Sequence, residues 1–418
     1  MTRDLLLEPI TSYYLRSEDF NGYRVASSGV PCNDLKPLLC ELISEGLISL
    51  HFGIPHPNPH IKAFAAQPRD TQLAVLAKLE DLTHLTAYPA RKHLETIVDR
   101  DEFNGRPYTL RLALGEAQLS PVFFELSVLE IYRNDPRYFY QTDDQSGYIS
   151  VSDAYYDTTG MKGTDQVMLK FGYGIDDDLH RAVFVFAIDL SRLTPEHQQI
   201  WSARELDGTH RMHPGYFDSA IRGEFPEKVS IFDAFLEELE QLQKMSAAAG
   251  LPPLVRRSFQ DAKPPNFTFL IRPTLKELED FHATLDKMMS ENLNKEFLAE
   301  FVKELETATE RRDGKFVVTS KGTIVLLDEW MEEIRFPDRA PVDEMLATFR
   351  EVRKLRQRPA HSTDDNDFDL KYYDDQRELM IRAYSAVRTL RQVLANHPAL
   401  TNYDEVPEWL YDGAIYPF

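Results

Sequence analysis

The chain has 418 residues, 43% of them hydrophobic, and a formal net charge of −21. That length accommodates two or three domains, each able to bury its own core. The acidity excludes loose nucleic-acid binding by the whole surface, which draws on a broad basic face, and leaves room only for a local basic pocket.

Residues 1–227 read as mixed α and β. The opening run Met1 to Pro9 is too short in apolar residues for a secretion signal. A helix is expected from Asn33 as N-cap, with Leu35, Leu38, Leu39, Leu42 and Ile43 on one face and Pro37 near its first turn. Leu47 to Phe52 follows as a strand, and a second amphipathic helix covers Gln72 to Leu85. Tyr108 to Leu114 alternates like a strand, while Val122 to Tyr132 fits either a helix or a buried strand. Gly147–Val151, Val167–Tyr173 and Ala182–Ile188 read as strands. The last two are joined as a hairpin through Gly174 and the run Asp176, Asp177, Asp178. Thr194 then caps a helix with Pro195 at its first position, and residues 208–226 form an extended connector.

From Val229 the pattern turns helical, with Phe232, Phe235, Leu236, Leu239 and Leu242 in one stripe. Ala249 to Pro253 end that helix, Pro264-Pro265 marks a linker, and Leu275 to about Thr307 is a helical stretch of one or two helices. Between Lys315 and Leu327 the segments 316–318 and 323–325 are expected to pair as a small hairpin around Lys321-Gly322. A helix spans Val342 to Arg358, and the last long one covers Phe368 to Ala395. No uninterrupted apolar run reaches membrane-spanning length, so a cytoplasmic protein without membrane contact is expected.

The densest basic cluster closes the helix that carries Met345, Phe349 and Val352: Arg350, Arg353, Lys354, Arg356 and Arg358 stand against a single Glu351. The helix macrodipole favours cations at that end. Pro359 disfavours helical geometry at Arg358, so the chain breaks there and Arg356 and His361 can converge. A planar cation beside a group titrating near neutrality suits phosphodiester cleavage.

Arg356, four intervening residues and His361, in the wording Val352 to His361, resemble the Arg-x4–6-His signature of the HEPN superfamily (higher eukaryotes and prokaryotes nucleotide-binding). The resemblance covers the last third of the chain. It implies a small helical bundle, a metal-independent endoribonuclease without cofactor, and a homodimer in which two motifs meet across the two-fold axis. His361 would move the proton and Arg356 would stabilise the pentacovalent phosphate. Many active members carry Asn, Asp or His after the arginine; here Gln357 stands there, able to hydrogen-bond phosphate or sugar but not to exchange a proton. Arg353, Lys354, Arg358 and Arg377 are the expected RNA contacts. A role in phage defence or as a toxin, and a regulatory partner protein, are implied by the family alone.

Other constellations are weaker. His51, His56 and His60 invite a zinc reading, but Pro55, Pro57 and Pro59 impose extended geometry and favour a structured turn. His210 and His213 are candidate phosphate contacts in the connector. Asp364, Asp365, Asn366, Asp367 and Asp369 read as a solvated loop with Asp367 capping the last helix, rather than as a cation site. Arg377 and Arg388 share a helix face, expected to be laced with ion pairs. Cys32 and Cys40 form no Cys-x-x-Cys pair, and P-loop, GxGxxG, GxSxG and HExxH motifs are absent.

The expectation is therefore an α+β protein. A mixed domain at 1–227, sensing a trigger or binding a target, precedes a helical region at 228–418. That region holds a HEPN-like bundle over about 273–418, with a small β-hairpin inserted. The alternative is a non-catalytic HEPN-like module for dimerisation or for binding nucleotides or nucleic acid.

Overall fold

A computed structural model describes residues 3–52, 58–219, 223–224, 228–264, 266–310, 316–357 and 365–417. The class is α+β, and the chain divides into two compact units, 1–225 and 226–418.

The first unit contains two sheets. Helix α1 (Asp4–Arg16), β1 (Tyr23–Arg24), α2 (Cys32–Ser44), β2 (Ile48–His51), α3 (Arg69–Lys78) and β3 (Thr86–Pro89) build the first. Its strands run in the order β1-β3-β2, all antiparallel. Leu6 and Ile10 of α1, Leu35, Leu39 and Leu42 of α2, and Leu76 of α3 form one core with Ile48 and Leu50 of β2. Helix α2 starts directly after the extended Pro31, so Asn33 is not its cap. Helix α3 stops at Lys78, short of the expected Leu85. There the Asp81 carboxylate accepts from the Thr83 amide at 2.8 Å, a local bond that competes with helical continuation.

The chain continues through α4 (Arg91–Ile97), α5 (Pro107–Ala113), β4 (Pro121–Phe124), α6 (Glu130–Arg133), β5 (Tyr138–Thr142), β6 (Ser146–Val151), α7 (Asp153–Tyr156), β7 (Met168–Ile175) and β8 (Arg181–Phe186). It then forms α8 (Ala187–Ser191), α9 (Pro195–Ser202), β9 (Arg211–Met212) and α10 (Pro214–Phe217). The larger sheet is antiparallel in the order β4-β8-β7-β6-β5, with β9 added to β7. The expected strand at 108–114 is helix α5 instead. Pro107 sits at its first position, and Tyr108 and Leu112, four apart, are both buried, so a helical spacing outweighed the apparent alternation. The ambiguous 122–132 stretch resolves into β4, a 3-10 turn and α6. The β7–β8 hairpin closes through Asp176, whose Oδ1 accepts from the amides of Asp178 (2.9 Å) and His180 (2.8 Å). Thr194 caps α9 as expected.

The second unit opens with β10 (Val229–Ser230), which pairs in parallel with β13 (Ile415–Tyr416), and runs straight into α11 (Ile231–Ala248). Helices α12 (Leu275–Met288) and α13 (Lys295–Ala299) follow, then β11 (Glu306–Glu310), β12 (Phe316–Ser320) and α14 (Thr323–Glu332). Helices α15 (Ala340–Gln357), α16 (Lys371–Ala395) and α17 (Glu408–Asp412) complete the unit. A hairpin is present, but its strands are β11 and β12. Thr323 to Val325, expected as its second strand, begins α14, where Leu326, Leu327, Trp330 and Met331 supply a buried helical stripe.

Helices α11, α12, α15 and α16 pack as a bundle, α16 lying against both α11 and α15, and α15 against α12. Their apolar stripes are Phe235, Leu239 and Leu242; Leu278, Phe281 and Leu285; Met345, Phe349 and Val352; and Met380, Tyr384, Val387, Leu390 and Leu394. Arg391 of α16 and Glu238 of α11 form an ion pair inside the bundle, both side chains almost fully buried. Among the described residues no helix is long and apolar enough to cross a membrane.

Candidate functional site

The site is built where α12 and α15 end together. Arg353 and Arg356 are three apart on α15 and therefore share a face. Both guanidinium groups turn toward α12. Arg353 Nη1 donates to Asp286 Oδ2 at 2.7 Å, and Arg356 Nη1 donates to the same oxygen at 2.9 Å. Each also donates to Glu291 Oε1, Arg353 at 3.3 Å and Arg356 more tightly. Two cations thus share one oxygen of each of two carboxylates, and the four side chains sum to zero charge. The carboxylates differ in setting. The Asp286 side chain is 0% exposed and Glu291 is 38% exposed, with the arginines at 38% and 32%. Asp286 Oδ1 and the Ser290 hydroxyl are buried and, among the described residues, have no hydrogen-bond partner.

Electrostatics follow from this geometry. Burial pushes the Glu291 carboxyl up, but the hydrogen bonds and charges of Arg356 and Arg353 outweigh it and hold the group below its usual range. The Glu291 hydrogen bond likewise raises the Arg356 guanidinium above its ordinary value, against burial and with help from Asp286. Both partners stay charged at neutral pH.

The remaining expected residues are dispersed. Gln357 and Lys354 are exposed at the end of α15. Arg358 and His361 lie outside the described residues, as do His56 and Asp364. Arg377 donates to Asp374 at 2.8 Å on its own helix. Arg382 pairs with Glu351, and Arg388 donates to the Tyr411 carbonyl at 3.1 Å, so the expected basic face of α16 is engaged in local pairs. Asp367 does not cap α16: it accepts from the Tyr372 hydroxyl at 2.8 Å, while Asp369 receives the Lys371 amide at 3.0 Å.

A cleft of about 280 Å³ follows the seam between α12, α15 and α16, lined by Leu278, His282, Glu351, Leu355, Tyr372 and Arg382. Leu355 and His282 on its walls belong to the two helices that carry the arginine site, α15 and α12, but none of Arg353, Arg356, Asp286 and Glu291 lines the cleft. Asp286 and Glu291 were not identified from the sequence. Their partners lie 62 to 70 residues away, beyond any local spacing rule.

In the first unit His60 Nδ1 lies 2.7 Å from the Gly22 carbonyl oxygen, and His51 stands edge-on to the Tyr88 ring, so these two serve local packing. His213 Nδ1 accepts from the Gly215 amide at 3.2 Å as the cap of α10, and His210 stacks on Phe123. Among the described residues one group of potential metal ligands lies together, Asp176, Asp178 and His180, and Asp176 is already bound to the turn's own amides.

No family model, curated protein or solved structure matches the chain.

Proposed function

We propose that the second unit is a metal-independent endoribonuclease of the HEPN type, acting in phage defence or as a toxin. The observation that supports this reading most is the pairing of Arg353 and Arg356 at the end of α15. Two partly exposed guanidinium groups are oriented side by side beside the exposed Gln357. Such a fork matches phosphate oxygens. The cleft carried by the same helices is large enough for a nucleobase.

In the proposed reaction His361 takes the proton of the ribose 2′-OH or delivers one to the leaving 5′-oxygen. The 2′-oxygen attacks phosphorus, the P–O5′ bond breaks, and the products are a 2′,3′-cyclic phosphate and a 5′-hydroxyl. Arg356 stabilises charge on the pentacovalent phosphate, which is worth about 3 kcal/mol for one well-placed donor. A homodimer would bring two motifs to one composite site. The first unit would sense a trigger, hold a regulatory partner or bind the target.

The test is cleavage of RNA by the purified full chain in EDTA, comparing wild type with His361→Ala and Arg356→Ala. The expected result is EDTA-resistant cutting that leaves cyclic phosphate and is lost in both variants. Metal-dependent cutting that survives both substitutions refutes the mechanism.

A second reading has its own observation. Arg356 is already bound by Asp286 and Glu291, as a structural arginine would be. A non-catalytic module for dimerisation or nucleotide binding fits that state. Under it wild type cuts no RNA, and Arg356→Ala lowers stability or dimer affinity instead.

A further inference from the structure

Building on the reading of Arg356 as a phosphate contact, we infer that Glu291 is an internal anion occupying the phosphate position of an Arg353–Arg356 site. A phosphodiester or phosphate engages the pair by displacing the Glu291 side chain. A carboxylate oxygen shared by two guanidinium groups presents the same charge and fork geometry as a non-bridging phosphate oxygen.

The two carboxylates have different roles because their surroundings differ. Asp286 is wholly enclosed on α12 and cannot leave without abandoning its hydrogen bonds to both arginines. It is the positioning residue that holds one Nη1 of each guanidinium group on a common oxygen. Glu291 follows the end of α12 and is 38% exposed.

The backbone around Glu291 is pinned. Its own amide donates to the Asp286 carbonyl at 3.1 Å. The next residue, Asn292, is bonded three times to the neighbouring segment: its side chain accepts from the Arg257 amide (2.9 Å) and donates to the Arg257 carbonyl (2.8 Å), and its carbonyl accepts from the Arg256 amide (2.8 Å). Displacement therefore needs only rotation of the Glu291 side-chain torsions, with no change in the fold. Once Glu291 swings out, Arg353, Arg356 and Asp286 carry a net positive charge facing solvent.

The experiment measures binding, so it is independent of cutting. The probe is a fluorescent 2′-O-methyl oligoribonucleotide, which lacks the 2′-OH nucleophile. It is titrated against the full-length wild type, Glu291→Gln, Glu291→Ala, and Glu291→Gln combined with Arg356→Ala. Glu291→Gln is expected to tighten binding about tenfold, since a like charge is removed from the contact. The salt dependence should steepen by about one phosphate contact. Adding Arg356→Ala should remove both gains. Competition by millimolar inorganic phosphate would assign the site to free phosphate groups, and resistance to it would assign the site to a polynucleotide backbone. Tighter binding by Glu291→Gln in a chain that cuts no RNA supports this site while removing the nuclease reading. Unchanged affinity in folded Glu291→Gln and Glu291→Ala, or a gain that survives Arg356→Ala, overturns it.

Discussion

The Glu238–Arg391 pair gives the sharpest stability prediction, because both side chains are buried to within 2% of full enclosure. Arg391 Nε donates to Glu238 Oε2, and Nη2 donates to Oε1 at 3.3 Å. Replacing Glu238 by Gln keeps the volume and one acceptor but leaves a guanidinium without a counter-charge inside the bundle. Removing one partner of a buried pair costs roughly 3–5 kcal/mol, and the retained acceptor places this variant near about 3. For a unit of this size, 1 kcal/mol corresponds to roughly 2–4 °C, so the unfolding midpoint should fall by roughly 6–12 °C. Calorimetry of the full chain reads the midpoint. Hydrogen exchange at α11 and α16 amides assigns the loss to the second unit. The double variant Glu238→Met, Arg391→Met removes both charges and should recover most of the loss, since burying a pair gains little over an apolar contact. A midpoint shift under about 2 °C, or a double variant as unstable as the single one, would refute the reasoning.

The other predictions concern the site and the first unit. Asp286→Asn weakens two charge-assisted hydrogen bonds, but the arginines are about a third exposed and rehydrate. The expected cost is therefore only about 1–2 kcal/mol, read by urea unfolding, and a change near zero would remove its positioning role. Stability of the first unit should fall as pH drops from about 6.5 toward 4. Burial holds the folded His51 and His213 near a pKa of about 4, with the Lys62 and Arg181 charges adding to the depression. Each resists the proton it accepts when unfolded, so their stabilisation is present above about 6.5 and lost on acidification. His51→Phe should flatten that slope in pH-dependent unfolding, and an unaltered slope would exclude His51 as a source.

The long helices were legible because their stripes are sustained: Phe232 through Leu242 and Met380 through Leu394 repeat at three to four over several turns. Thr194 with Pro195 was legible because capping is local chemistry. Short segments were not. Tyr108–Leu114 and Thr323–Val325 look like strands in a window of a few residues, and only their packing partners decide otherwise. The site was half legible. Arg353 and Arg356 stood out as a basic cluster, whereas Asp286 and Glu291 look like ordinary acidic residues at a helix end. What distinguishes them is a tertiary contact across more than sixty residues.

That contact bears on selectivity in the proposed function. A chain of net charge −21 repels a polyanion at long range, and the Arg353–Arg356 pair is neutralised from within. A single phosphate must therefore break two guanidinium–carboxylate bonds to gain two of the same kind, an exchange close to balanced. Net affinity has to come from elsewhere. The cleft carried by the same helices, with Leu278, Leu355 and Tyr372 on its walls, offers apolar and aromatic surface to a base. A ligand that fills the cleft and also reaches the arginines gains on both counts, while phosphate alone gains on neither. On this reading the acidic surface and the Glu291 contact act as a threshold. They suppress indiscriminate attack on RNA and confine the arginine pair to nucleotides presented with the base already seated.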